Sequence, residues 1–98
     1  MSDMGDYRDE RFYGATGRII PNQIMRHYQN GSCVFFSYET KIAEVDIEGD
    51  VTLFDCWNMY SQTTNKYLLK FMNKKTNHDV TSITTIRRLV KDGIFAVA

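Results

Sequence analysis

Asn30-Gly31 lies between two apolar runs, Ile24–Gln29 and Cys33–Tyr38, and no other pair of residues constrains this chain as tightly. Asn and Gly both tolerate the positive φ that a type I′ turn needs at its two central positions. Between two strand-like runs, the pair therefore predicts a β-hairpin with a two-residue loop. Such a loop sets the register. Tyr28 then faces Cys33, Arg26 faces Phe35 and Ile24 faces Ser37. On the opposite face His27 meets Val34 and Met25 meets Phe36. The second run, Cys33–Tyr38, is apolar on both faces, which predicts an interior strand.

The chain is organised around Ser32–Met72, which carries most of the apolar residues able to build a core. After the polar link Glu39-Thr40-Lys41, residues Ile42–Ile47 alternate. Ala43, Val45 and Ile47 point one way, and Glu44 and Asp46 point the other. Glu48-Gly49-Asp50 reads as a three-residue turn into Val51–Phe54, pairing Ile47 with Val51 and Val45 with Leu53. Asp55–Ser61 is a loop carrying Cys56, Trp57, Met59 and Tyr60. Ser61–Thr64 offers N-cap residues for a helix whose inner face is Tyr67, Leu68, Phe71 and Met72. Thr81 or Ser82 can cap a second helix, with Ile83, Ile86, Leu89 and Val90 inside and Gly93 as its C′ residue. Ile94–Val97 is either a last strand or a docked tail.

Upstream, Arg18–Ile20 reads as a short extended piece and Pro21-Asn22 as a turn. Met1–Gly17 lacks apolar periodicity and is broken by Gly5, Gly14 and Gly17, so it reads as a mobile tail. Tyr7, Phe12 and Tyr13 are unusual in a tail and favour packing onto the domain. The predicted architecture is α+β: a four-stranded antiparallel meander sheet with two C-terminal helices packed on one face. The tail spans 1–17 and a single domain spans 18–98.

Ninety-eight residues, 43% hydrophobic and 13% aromatic, fit one globular domain and not a disordered chain. The polar, acidic start MSDMGDYRDE does not read as a secretory signal, and no apolar run has the ~20 residues needed to span a bilayer. Cys33 and Cys56 do not make a disulfide framework, so both are expected reduced in a cytoplasmic setting. Cys33, Cys56, His27 and His78 lack the spacing of a zinc site. A Cys56–His78–Asp79 nucleophile would need three separate segments to converge, and the preferred reading is a buried thiol and a polar loop histidine. There is no glycine-rich phosphate loop. The expectation is a protein without cofactor, metal or catalytic residues.

The net charge of zero conceals a division. Residues 1–60 hold five basic and ten acidic groups, and residues 61–98 hold seven basic and two acidic, giving −5 and +5. Charge separation of this kind bears on partners, although mutual neutralisation within the fold accounts for it equally well. Glu39, Glu44, Asp46, Glu48, Asp50 and Asp55, with Trp57 and Tyr60, form the predicted partner-binding set. Carboxylates spaced along a strand can imitate phosphates in the basic channel of a nucleic-acid-binding protein. Their plainer role is to keep a sheet soluble. The alternative is a nucleic-acid surface of Lys66, Lys70, Lys74, Lys75, Arg87 and Arg88, with Lys91. A pI of about 6.7 argues against a dedicated nucleic-acid binder.

The segment FFSYETKIAEVDIEGDVTLFDCWNMYSQTTNKYLLKF resembles a family of small bacteriophage proteins. The resemblance is carried by Phe36-Ser37-Tyr38, by Thr40 to Ala43, by Gly49, by Trp57 and Tyr60, by Ser61 with Thr63-Thr64 and Lys66, and by Leu68 to Phe71. It covers about the middle half of the chain and contains no catalytic motif, and the 17-residue tail departs from the family's compact form. It implies a non-enzymatic phage protein acting in the host bacterial cytoplasm. The implied role is inhibition of a host defence system, such as anti-CRISPR binding to a CRISPR effector nuclease.

Overall fold

The computed structural model describes residues 6–54, 62–76 and 78–98. The fold is α+β: a mixed six-stranded sheet with two helices. The strands are β1 (Tyr7–Tyr13), β2 (Ile19–Tyr28), β3 (Cys33–Ser37), β4 (Thr40–Val45), β5 (Val51–Leu53) and β6 (Ala96–Val97). The helices are α1 (Gln62–Lys75) and α2 (Ile83–Lys91). Strand order in space follows order in the chain, β1-β2-β3-β4-β5-β6. The first four pairings are antiparallel, and β6 returns to lie parallel to β5. The sheet therefore has six strands instead of four, and it is mixed instead of purely antiparallel.

One added strand comes from the segment read as a tail. Residues 7–13 pair with β2, and Phe12 is buried in the core. Gly14 and Gly17 belong to the β1–β2 hairpin loop: the Gly14 N–H donates to the Arg18 carbonyl and the Gly17 N–H to the Gly14 carbonyl. Pro21-Asn22 is not a turn between separate pieces but lies within β2, at an irregularity where pairing jumps from Tyr13–Ile19 to Arg11–Ile24. A proline is tolerated at such a bulge because the ladder is already interrupted. Asn22 takes φ +67 there, and its carbonyl accepts from the Tyr38 N–H at 2.7 Å.

The Asn30-Gly31 hairpin forms with a three-residue loop, and this reverses the predicted faces. Tyr28 N–H donates to the Ser32 carbonyl and Gly31 N–H to the Tyr28 carbonyl. Only Gly31, at φ +99, is left-handed. The Asn30 Oδ1 instead accepts from the Ser32 N–H at 2.9 Å and the Ser32 hydroxyl at 2.7 Å. This is a tight turn followed by a glycine bulge, the usual three-residue hairpin. The pairs are His27–Cys33, Met25–Phe35 and Gln23–Ser37 on one face, and Arg26–Val34 and Ile24–Phe36 on the other. A one-residue slip exchanges the two faces of a strand.

The two left-handed residues of a two-residue hairpin occur instead at Tyr38 (φ +51) and Glu39 (φ +67), between paired Ser37 and Thr40. At the next turn Val45 pairs with Val51 and Ala43 with Leu53, two places from the predicted register, so the apolar faces still coincide. Ile47 falls outside the strand and is 66% exposed. A register shift beside Phe35 and Phe36 lets the adjacent residues Ile42 and Ala43 both reach the core.

The core lies between the helices and one face of the sheet. Phe35 stacks on Phe71 of α1 and meets the edge of Phe12 from β1. Phe12 also packs on Tyr67, with ring centroids 5.1 Å apart. Tyr67, Leu68, Phe71 and Met72 form the buried face of α1, as their spacing predicts. Ile86 and Leu89 of α2 join the same core, with Ile83 and Val90 at its margin. Ser82 caps α2, its hydroxyl accepting from the Thr85 N–H. At the other end Gly93 (φ +76) donates to the Val90 carbonyl and Ile94 to the Leu89 carbonyl, which closes the helix in a Schellman motif. Fully buried Val80 is held by Asn73, whose carboxamide bonds both its N–H and its carbonyl.

Candidate functional site

The second face of the sheet carries neither described helix. Val34 is buried there, yet it lies outside the core cluster. It is flanked across the sheet by Arg26 on β2 and Glu44 on β4. By strand alternation the same face presents Tyr7, Asp9 and Arg11 from β1, Ile24, Arg26 and Tyr28 from β2, Phe36 from β3 and Thr52 from β5.

Arg26 organises this face. Its guanidinium lies 4.0 Å from the centre of the Tyr7 ring and 4.9 Å from that of Phe36. Its Nε and Nη2 donate to the two carboxylate oxygens of Asp9 at 2.8 and 3.1 Å. Tyr7 in turn meets Tyr28 edge-on. A bidentate carboxylate and two aromatic neighbours hold the arginine flat against the sheet, a geometry lysine could not reproduce. Further along, Lys41 lies 4.4 Å from the Phe54 ring centre and pairs with Glu44 at 3.3 Å. Arg11, Asn22, Ile24, Arg26, Phe36 and Glu39 line a depression of about 530 Å³. Its rim includes the exposed Tyr38-Glu39 turn. Positive φ at two non-glycine residues costs about 1 kcal/mol or more each, and retained strain of this kind clusters at sites that bind.

A separate ionic group lies on the helix side of β1. Glu10 accepts from Lys74 of α1 through one oxygen and contacts His27 Nε2 at 2.7 Å through the other. Lys74 hydrogen bonding holds the Glu10 carboxyl below its ordinary 4.5, with His27 acting in the same direction against the opposing effect of burial. The Arg26 hydrogen bond likewise holds Asp9 below 3.8. Both groups bind protons more weakly when folded than when unfolded. Their stabilisation is therefore complete above the unfolded values and is lost as pH falls through the folded ones. Urea unfolding at neutral pH and at about pH 3 is expected to show this loss, and Asp9→Asn should flatten the acid dependence while lowering stability at neutral pH.

Cys33 is paired with His27 across the strands, but burial pushes its thiol up to about 11, away from the thiolate a nucleophile needs. His78 stands edge-on to Phe95, and Cys56 lies outside the described residues. Among the described residues no three His, Cys, Asp or Glu side chains are placed to hold a metal ion. Fully buried Gln23 lies beside Ser37, whose hydroxyl bonds Thr64 of α1. The Gln23 carboxamide has no partner among the described residues.

The predicted acidic row is divided by the strand ends. Glu39 is in the β3–β4 turn, and of the rest only Glu44 lies within β4, on the open face. Asp46 and Glu48 do not share that strand face, because β4 ends at Val45. The Asp46 Oδ1 instead accepts from the N–H groups of Glu48 and Asp50, both at 2.9 Å, and so shapes the β4–β5 turn. Glu48 and Asp50 are exposed in that turn. Asp55, Trp57 and Tyr60 lie outside the described residues. Of the basic set, Lys66 and Lys70 are exposed and approach the Tyr67 ring. Lys74 is engaged by Glu10, Lys75 is half-buried, and Arg87, Arg88 and Lys91 are exposed on α2.

The aromatic–arginine face eluded the sequence reading for two reasons. Reading β1 as tail removed Tyr7, Asp9 and Arg11, and the predicted hairpin register placed Arg26 beside Phe35. The signal present was alternation within Tyr7–Tyr13, where Tyr, Asp, Arg and Tyr occupy every second position.

A protein-family model matches residues 8–87, from β1 into α2. The chain belongs to DUF8033, a family of unknown function. No curated protein and no solved structure matches it. The DUF8033 match covers β1 from Arg8 onward and all of β2 as well as the central segment, so the open face falls within the family region except for Tyr7. No described helix of this DUF8033 chain is long and apolar enough to cross a membrane.

Proposed function

We propose that this DUF8033 chain acts by binding a protein partner on the open face of its sheet. The observation that carries the reading is Arg26 held between Tyr7 and Phe36, beside a depression bordered by the strained Tyr38-Glu39 turn. Tyrosine, phenylalanine and arginine are the residues enriched in the buried centres of protein interfaces. Charge selects protein over nucleic acid. Arg11, Arg26 and Lys41 are balanced on this face by Asp9, Glu39 and Glu44, whereas a phosphate-tracking surface carries excess positive charge. The exposed Lys66, Lys70, Arg87 and Arg88 are on the helices, not on this face.

In its narrow form the reading makes the chain a phage-encoded inhibitor and the partner a host defence protein, such as a CRISPR effector nuclease. Its support is the resemblance of the central segment to small phage proteins. Glu39 and Glu44 would then meet basic groups of the partner.

The test replaces the strained turn with residues that accept its backbone. Tyr38→Asn with Glu39→Gly is expected to raise stability by about 1 kcal/mol, read as a higher thermal midpoint. The same change should weaken capture of the partner from host lysate by about tenfold, by removal of contact side chains at the rim. A loss of binding in a more stable protein cannot come from unfolding. Undiminished capture by this variant and by Tyr7→Ala would remove the open face from the interface.

A further inference from the structure

We infer that the chain pairs with a second copy of itself through β1, edge to edge and antiparallel, with the two-fold axis at Glu10. β1 is the outer strand of the sheet and runs seven residues. The Gln29 N–H donates to the Asp6 carbonyl at 3.0 Å, and the register carries that alternation to Arg8–His27 and Glu10–Met25. In an antiparallel ladder every second residue turns its backbone groups toward the partner strand. Arg8 and Glu10 thus turn inward, and Tyr7, Asp9 and Arg11 turn their N–H and carbonyl groups outward. Among the described residues nothing bonds these outward groups. The extra residues of the β1–β2 irregularity lie on β2, so the outer edge of β1 is unbroken.

An exposed edge of this length invites pairing, and charged residues normally limit it. Here the charges are self-complementary. With the axis at Glu10, Asp9 of each copy opposes Arg11 of the other, and Tyr7 opposes Tyr13. Tyr7 and Tyr13 are 53% and 58% exposed. Arg11 has no hydrogen bond or ion pair within its own chain among the described residues, so it is available to the second copy. Cross-strand opposite-charge and aromatic pairs are the units that stabilise a sheet.

The competing register, with the axis at Asp9, sets two Asp9 carboxylates against each other, each ion-paired with one cation, Arg26. At Glu10 the facing carboxylates are each bound by both Lys74 and His27, which lowers their repulsion. The Glu10 axis is therefore favoured. It joins the two sheets into one and makes their open faces continuous.

Sedimentation velocity on the whole chain from about 10 µM to about 1 mM tests this, since one strand edge buries less than a standard interface and implies a Kd on the order of 100 µM. The expected result is a reversible monomer–dimer equilibrium. Arg11→Asp opposes Asp9 twice and should weaken the dimer by about tenfold. Arg11→Pro removes an outward N–H without breaking a β1–β2 bond and should leave only monomer. Circular dichroism and urea midpoints report folding, and if Arg11→Pro unfolds the protein, Arg11→Asp decides. A chain that stays monomeric at the highest concentration, or a dimer unmoved by Arg11→Asp, overturns the inference. Neither result bears on partner binding, because the measurement contains no partner.

Discussion

Phe35→Ala is expected to destabilise the protein by about 4 kcal/mol, the upper range for truncating a buried aromatic. A domain of this size has about 5–15 kcal/mol in total, so the variant should approach half-unfolding in mild urea. The effect is large because Phe35 joins three elements. Its ring stacks on Phe71 of α1 and receives the edge of Phe12 from β1, and no part of it reaches solvent. The neighbouring Phe36 is half-buried on the opposite face, against Arg26. Phe36→Ala should cost less than half as much. Urea unfolding of the two variants also tests the hairpin register, since a two-residue loop would seat Phe36 with Met25. Equal or reversed effects would contradict the observed pairing.

Removal of residues 1–13 is expected to abolish cooperative folding at ambient temperature. The deletion takes Phe12 out of contact with Phe35 and Tyr67, a loss of about 3 kcal/mol or more by itself. It also uncovers Met25 on β2 and removes the partners of Arg26 and Lys74. Loss of the Asp9 and Glu10 carboxylates leaves both cations uncompensated, which adds to the cost. Thermal unfolding followed by circular dichroism is the measurement. A truncated chain with the parent's midpoint would show that these residues are a tail.

What the sequence revealed depended on how locally each feature is determined. The inner face of α1 was legible because Tyr67, Leu68, Phe71 and Met72 recur at helical spacing, and the Ser82 cap and Gly93 terminus because each acts on its own turn. The β4–β5 apolar faces were legible despite a register error, because a displacement of two residues preserves alternation. The β2–β3 faces were not, because Asn-Gly serves both two- and three-residue loops and the choice inverts every side chain. The Asn30–Ser32 hydrogen bonds that settle it are invisible in a propensity. β1 was missed because its buried face holds only Phe12 as a large apolar residue, the others being Arg8 and Glu10. Glu10 is explained by His27 on β2 and by Lys74, sixty-four positions away. The candidate site inherited both errors, since it is assembled from β1 and the outward face of β2. Glu44, Asp46 and Glu48 do not share one strand face for a simpler reason: strand β4 stops before Asp46.

The sheet lays its strands in the order they are made, and this affects how the chain finds its fold. Each of the four hairpins from β1 to β5 closes over a short loop, so the entropy lost in forming it is small and the contacts are local. The ladder between β5 and β6 is different. It joins Thr52 to Ala96 and Leu53 to Val97 only after both helices have been laid down. That closure spans the longest separation in the sheet and gains only two paired residues. β6 therefore adds little to the speed of folding. It is expected to act as a latch set late, so that shortening β6 speeds unfolding more than it slows folding, as stopped-flow kinetics would show.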